Sequence, residues 1–168
     1  QIQPNGVSVQ AVIEEKLTIL LRTPISIVGA GRTDAGVHAR AMAAHFDVDG
    51  DLDTSALTER LNRILPLDIA IKEIRPVRID AHARFDATAR LYRYYITFAK
   101  DPFLYPYFLK LHGNIDIEMM KRCSGVLFEY IDFTSFSKLH TDVKTNNCDI
   151  MLAEWQQNGE NLIFTIKA

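Results

Sequence analysis

Gly29-Ala30-Gly31-Arg32-Thr33-Asp34-Ala35-Gly36-Val37-His38-Ala39 separates two apolar runs, Ile25 to Val28 and Ala41 to Val48. Each run reads as a short strand, so the intervening segment is a connection that has to turn tightly. Glycine costs chain entropy and supplies no side chain to pack, and it concentrates where backbone bends sharply or approaches something closely. A structural turn needs a glycine or two and one Asp or Asn. It does not need Arg32, Asp34 and His38 together, and charged residues held on a glycine-rich loop are characteristic of a functional site.

Working outward, the chain of 168 residues is long enough to bury a core. Ser8 is placed to cap a helix to about Leu21, with Val12, Ile13, Leu17, Leu20 and Leu21 on one stripe and Thr23-Pro24 as the stop. A second helix is expected from Thr54 to Leu65 and a strand from Ile69 to Ile74. The strongest strand signal is Thr88 to Phe98, which sets Arg90, Tyr92, Tyr94 and Ile96 on one face and Leu91, Arg93, Tyr95 and Thr97 on the other. Lys100 to His112 reads as an irregular connection, Asp116 to Leu127 as a helix, and Asp132 to Asn146 as a loop. In that helix Met119, Met120, Cys123, Val126 and Leu127 make the apolar set. Two strands, Cys148 to Gln156 and Asn161 to Lys167, meet at the Asn158-Gly159 hairpin signal. Helices interleaved with strands plus a hairpin predict an α+β fold with a mixed or antiparallel sheet.

Several chemistries are set aside by what the sequence lacks. Asp34 stands where the third glycine of a dinucleotide-binding loop belongs, and no GxxxxGK[ST] or G-x-S-x-G is present. No HExxH or calcium-loop pattern occurs, so no metal or cofactor is expected. An Asp/His hydrolase on Asp34 and His38 loses support with those motifs. Two isolated cysteines, Cys123 and Cys148, argue for an intracellular, cytoplasmic setting without disulfides. No apolar run reaches the roughly 18 residues of a membrane span. The formal net charge of -2 conceals a local excess, because Arg75, Arg78, Arg84, Arg90 and Arg93 face only Asp80 and Asp86 between positions 75 and 93. Such a cluster is either a solvated face or a phosphate-recognising one, and guanidinium suits the second because it binds bidentately. One exposed carboxylate can act as nucleophile or base unaided. A strand tyrosine such as Tyr92 can pack in a core or stack on a nucleobase.

The Gly29–Ala39 run resembles the signature loop of the tRNA pseudouridine synthase A family. Phe85-Asp86-Ala87-Thr88-Ala89-Arg90-Leu91-Tyr92-Arg93-Tyr94 is similar to that family's second motif, and Asp132-Phe133-Thr134-Ser135-Phe136 to its later DFxSF-like loop. The resemblance implies a pseudouridine synthase fold of two ferredoxin-like halves. Residues 1–80 would be the N-terminal α/β half with the catalytic loop, and 81–168 the C-terminal half with the tyrosine strand, incomplete at its end. It implies isomerisation of uridine to pseudouridine at positions 38 to 40 of the tRNA anticodon stem-loop. Asp34 would be the catalytic aspartate, Tyr92 the residue stacking at the base, and Arg32 a group that holds the flipped nucleotide. Arg84, Arg90, Arg93 and His38 are expected to contact RNA, and the active form is expected to be a homodimer. The family's opening strand and its closing apolar-plus-arginine motif have no counterpart here, and the chain opens on Gln1 without an initiator methionine. A fragment inactive on its own is therefore expected, and a non-catalytic RNA-binding or dimerisation piece is the alternative.

Overall fold

The computed structural model describes residues 6–137 and 145–168. The chain divides into two compact units, Gln1–Ala87 and Thr88–Ala168, so residues 81–87 go with the first unit and not, as expected from sequence, with the second.

The first unit is organised by two capped helices. α1 spans Val9–Leu21 and its first turn is closed by Ser8, whose hydroxyl accepts the Ala11 N–H at 3.1 Å. It ends on Arg22, which takes the left-handed conformation (φ 56°) just before Thr23-Pro24. α2 spans Thr54–Ile64, capped in the same way by Asp53. Leu17 of α1 and Leu57 and Leu61 of α2 close on Ile25, Ile27 and Leu65 to form the core, with Val12, Ile13, Leu20, Phe46 and Ile69 around it. The periodic apolar stripes put these residues on facing surfaces, and burying each side chain contributes about 1.5–3 kcal/mol.

Two expected strands are shorter than the apolar runs that announce them, and a third does not form. β1 is only Val28–Gly29 and β2 only Ala44–His45; they pair antiparallel with Val28 opposite His45. The backbone of Ile25 and Ile27 is taken up by side chains of α1 instead of a neighbouring strand. Thr18 Oγ1 accepts the Ile25 N–H at 3.0 Å, Glu14 Oε1 accepts the Ile27 N–H at 2.8 Å, and Gln10 Nε2 donates to the Ile27 carbonyl at 2.9 Å. Residues 69–74 form no strand because Asn62 of α2 does the same for Ile71, donating to its carbonyl and accepting its N–H, both at 2.8 Å. The side chains Ile69, Ile71 and Ile74 still pack on the core.

The second unit is a four-stranded sheet in the order β4-β3-β6-β5. β3 (Leu91–Thr97) runs antiparallel to β6 (Asn161–Lys167), which forms a hairpin with β5 (Leu152–Asn158). The hairpin places Gly159 first of its two loop residues with φ 59°, the position where a type II′ turn calls for glycine. β4 (Leu109–Lys110) lies parallel to the end of β3, inside the segment read from sequence as irregular. α3 (Ile117–Val126) is capped by Asp116. Its inward face is Ile117, Met120, Ser124 and Leu127, whereas Met119, Cys123 and Val126 are exposed, contrary to the apolar set expected from sequence. A polar residue is buried because Trp155 of β5 donates its indole N–H to Ser124 Oγ at 2.8 Å, and Ser124 in turn donates to the Met120 carbonyl. The α+β assignment with a mixed sheet therefore holds.

Candidate active site

The loop that follows β1 leaves the ladder at once. Ala30 N–H still reaches the Ala43 carbonyl at 2.9 Å, and beyond that contact the chain from Arg32 to Ala43 is exposed. Asp34 opens a turn closed by Val37 N–H donating to the Asp34 carbonyl at 3.3 Å. Its third residue, Gly36, has φ 82°, a region costly to any residue with a Cβ. Gly29 has no such need: a Cβ there would meet the Gly31 carbonyl oxygen at 3.8 Å, an ordinary contact. The glycine requirement thus sits at the residue that shapes the turn under Asp34.

Arg32, Asp34 and His38 are all exposed on this loop. Among the described residues the Asp34 carboxylate receives no hydrogen bond and no ion pair, and Arg32 does not bridge to it. An exposed carboxylate fixed by its backbone and left unengaged by protein is available to a ligand. Among the described residues no cluster of three His, Cys, Asp or Glu is placed to hold a metal ion.

Tyr92 belongs to the second unit. It lies opposite Ile166 on β6 at the open end of β3, and it is 41% exposed while Ile96 and Thr97 farther along the strand are buried. Tyr94 shares its face and stacks on Phe164, which stacks on Trp155 at 4.5 Å. Arg90 extends the ladder by exchanging two backbone hydrogen bonds with Ala168, at 2.6 and 3.1 Å, which puts it on the Tyr92 face by strand alternation. Arg93 points to the opposite face. Of the five arginines in the basic stretch, Arg75 bridges Glu73 and Arg78 bridges both Asp80 and Asp86. Arg84 lies over the ring of exposed Phe85, 5.8 Å from its centroid.

Two carboxylates organise the flanking motifs. Asp86 accepts the His82 N–H at 3.0 Å and the Arg78 guanidinium at 3.3 Å, and these, led by the backbone bond, hold its carboxyl below the usual carboxylate range. Asp132 accepts both the Thr134 hydroxyl at 2.5 Å and the Thr134 N–H at 2.9 Å, which lower its carboxyl in the same way. The Thr134–Phe136 turn that follows is thereby fixed, with Phe133 and Phe136 ring to ring at 6.2 Å. Sequence reasoning gave no role to His45 or His82, yet their rings meet at 4.8 Å in the first unit. No spacing signal could have joined residues so far apart in the chain.

Residues 1–86 match the family described as tRNA pseudouridine synthase. The whole chain is 61% identical over 169 residues to "tRNA pseudouridine synthase A" of Parabacteroides distasonis, covering 67% of that protein. The chain belongs to the tRNA pseudouridine synthase family. The protein of the same name from Bacteroides thetaiotaomicron is 56% identical, with all of this chain and 64% of the relative covered. A more distant one from an Exiguobacterium species is 36% identical over 98% of this chain and 67% of its own length. The chain thus spans about two thirds of the length of the curated relatives it matches. Pseudouridine synthases are isomerases, and the Asp34 loop lies inside the matched residues. Among the described residues no helix is long and apolar enough to cross a membrane.

Proposed function

We propose that the chain supplies the catalytic aspartate and the base-stacking tyrosine of a cytoplasmic enzyme that converts uridine to pseudouridine at positions 38 to 40 of the tRNA anticodon stem-loop. The observation that carries the proposal is the Asp34 turn: an exposed carboxylate without a protein partner among the described residues, set on backbone that needs glycine at Gly36. In this reading the carboxylate acts at the ribose C1′ of uridine, and the family match over residues 1–86, which include the loop, supports it. The N1–C1′ bond breaks, the base turns, a C5–C1′ bond forms, the C5 proton leaves to a base and N1 takes up a proton, so atoms and electrons balance without an oxidant.

A uridine in a stem must first leave its stack, at a cost of a few kcal/mol. Stacking on Tyr92, worth about 1–3 kcal/mol per base, offsets much of that. Arg32 holds the displaced nucleotide. Arg84, Arg90, Arg93 and His38 are assigned to the RNA backbone, where guanidinium binds phosphate bidentately. The same reading makes the enzyme a homodimer of subunits built from two ferredoxin-like halves. One observation favours a second reading, an RNA-binding or dimerisation piece without turnover: the chain spans only about two thirds of the length of its curated relatives. The deciding experiment is tritium release from C5-labelled uridine in tRNA, run on a protein of these residues and on the full-length protein. Release by the longer protein alone supports the catalytic assignment and the inactivity of the piece; release by neither supports the second reading.

A further inference from the structure

Two histidines with no part in the proposed chemistry hold the turn from Arg78 to Asp86. His82 Nδ1 accepts the N–H groups of Arg84 at 3.2 Å and Phe85 at 3.3 Å. His45, on β2, uses its own Nδ1 to accept the Ala83 N–H at 3.1 Å. The two rings meet edge to face, and Phe85 stacks on His82 at 4.2 Å. Three consecutive backbone donors are thus satisfied by two imidazole nitrogens. A neutral imidazole has one acceptor nitrogen, and a protonated one has none. Each ring must therefore carry its proton on Nε2 for the turn to exist as seen.

We propose that His45 and His82 are positioning residues that act together as a protonation-controlled latch for Arg84 and Phe85. Charged groups of both signs lie along the same turn. Asp86, which accepts the His82 N–H, favours positive charge on that ring, and Arg78, paired to Asp86 and Asp80, opposes it. Val28, opposite His45 in the ladder, is uncharged. Hydrogen-bond geometry then decides: an Nδ1 proton would face an N–H donor at each contact. Protonation of either ring removes its acceptor nitrogen, so the latch holds the turn while the rings are neutral and releases it when they are charged. An RNA-binding role for Arg84 rests on the proposed function; the latch itself rests on geometry within the first unit.

The test is long-range proton–nitrogen NMR of the imidazole rings together with amide hydrogen exchange. At about pH 7.5 both rings are expected as the Nε2–H tautomer, with the Ala83, Arg84 and Phe85 amides protected. At a pH where the same spectra show both rings protonated, protection is expected to drop roughly tenfold. His82→Asn offers a carbonyl acceptor that does not titrate, and its amides are expected to stay protected at both pH values. In His82→Ala the Arg84 and Phe85 amides should be unprotected at both. An Nδ1–H tautomer on His82, or protection that does not change with pH, overturns the latch. So does loss of protection in His82→Asn at the lower pH. Should a variant fail to fold, the tautomer in the unsubstituted protein decides. Amide protection that falls with pH while tRNA affinity stays constant keeps the latch and contradicts the RNA contact assigned to Arg84.

Discussion

Asn62 clamps Ile71 at both ends of its peptide backbone, donating to its carbonyl and accepting its N–H at 2.8 Å each. A helix side chain here does what a neighbouring strand would otherwise do. Asn62→Ala leaves both groups to water and loosens Ile69, Ile71 and Ile74 from the core. At about 0.5–1.5 kcal/mol per hydrogen bond, a loss of about 1–3 kcal/mol is expected. Denaturant unfolding should show a lower midpoint with an unchanged slope; an unchanged midpoint would contradict the clamp.

The indole of Trp155 reports on a second clamp. It is the one tryptophan in the chain, so its fluorescence is unambiguous. Ser124→Ala removes the acceptor of its N–H and is expected to cost about 1–3 kcal/mol, the range for a buried donor left unsatisfied. The emission maximum should shift in the folded state, and a spectrum identical to the wild type would show that the bond contributes nothing.

Much of this architecture is legible in the sequence, and where it is not the reason is local. The first helix follows from its Ser8 cap and apolar periodicity, the second from periodicity alone, and the hairpin from Asn158-Gly159. Ile25 to Val28 and Ile69 to Ile74 look like strands because burial selects the same β-branched residues whether or not a ladder forms. What distinguishes the cases is Glu14, Gln10 and Asn62, polar residues in helices whose partners lie 9 to 17 positions away. The inward Ser124 escaped notice because its reason is Trp155, 31 residues on. The exposed loop around Asp34 stands out in the sequence because it is local and compositionally odd. His45 and His82 were not, because only the folded chain brings them together.

The lowered Asp132 carboxyl carries a pH consequence of definite sign. A group held below its unfolded value of about 3.9 contributes stability above that pH and loses it as pH falls through the folded value. Thr134→Val removes the hydroxyl, the larger cause, so the Asp132 titration should move up toward the unperturbed value while that of Asp86 stays put. Carbon-detected NMR of the two carboxyl groups checks this, and an unmoved Asp132 would refute the assignment to Thr134.

Gly36 and Gly29 should behave oppositely on substitution. Nothing lies within 4 Å of a Cβ added at Gly36, so Gly36→Ala meets only the conformational cost of φ 82°. That cost is about 1–2 kcal/mol, enough to lower the population of the correct Asp34 turn by about fivefold to thirtyfold. Turnover by the full-length protein should fall by that factor with tRNA affinity little changed. Gly29→Ala should change stability by less than about 0.5 kcal/mol. Equal effects at the two positions would show that crowding, not backbone conformation, selects glycine in this loop.

The proposed chemistry rests on the carboxylate of Asp34 acting at the uridine sugar. Asp34→Asn keeps the shape of the side chain and removes its charge, so the turn closed through the Asp34 carbonyl should survive. The direct measurement is tritium release from C5-labelled uridine in the tRNA anticodon stem-loop by the full-length protein carrying this substitution, with tRNA binding followed in parallel. Background release with tRNA still bound is expected; release near the unsubstituted rate would show that the Asp34 carboxylate is not the group that acts at the sugar.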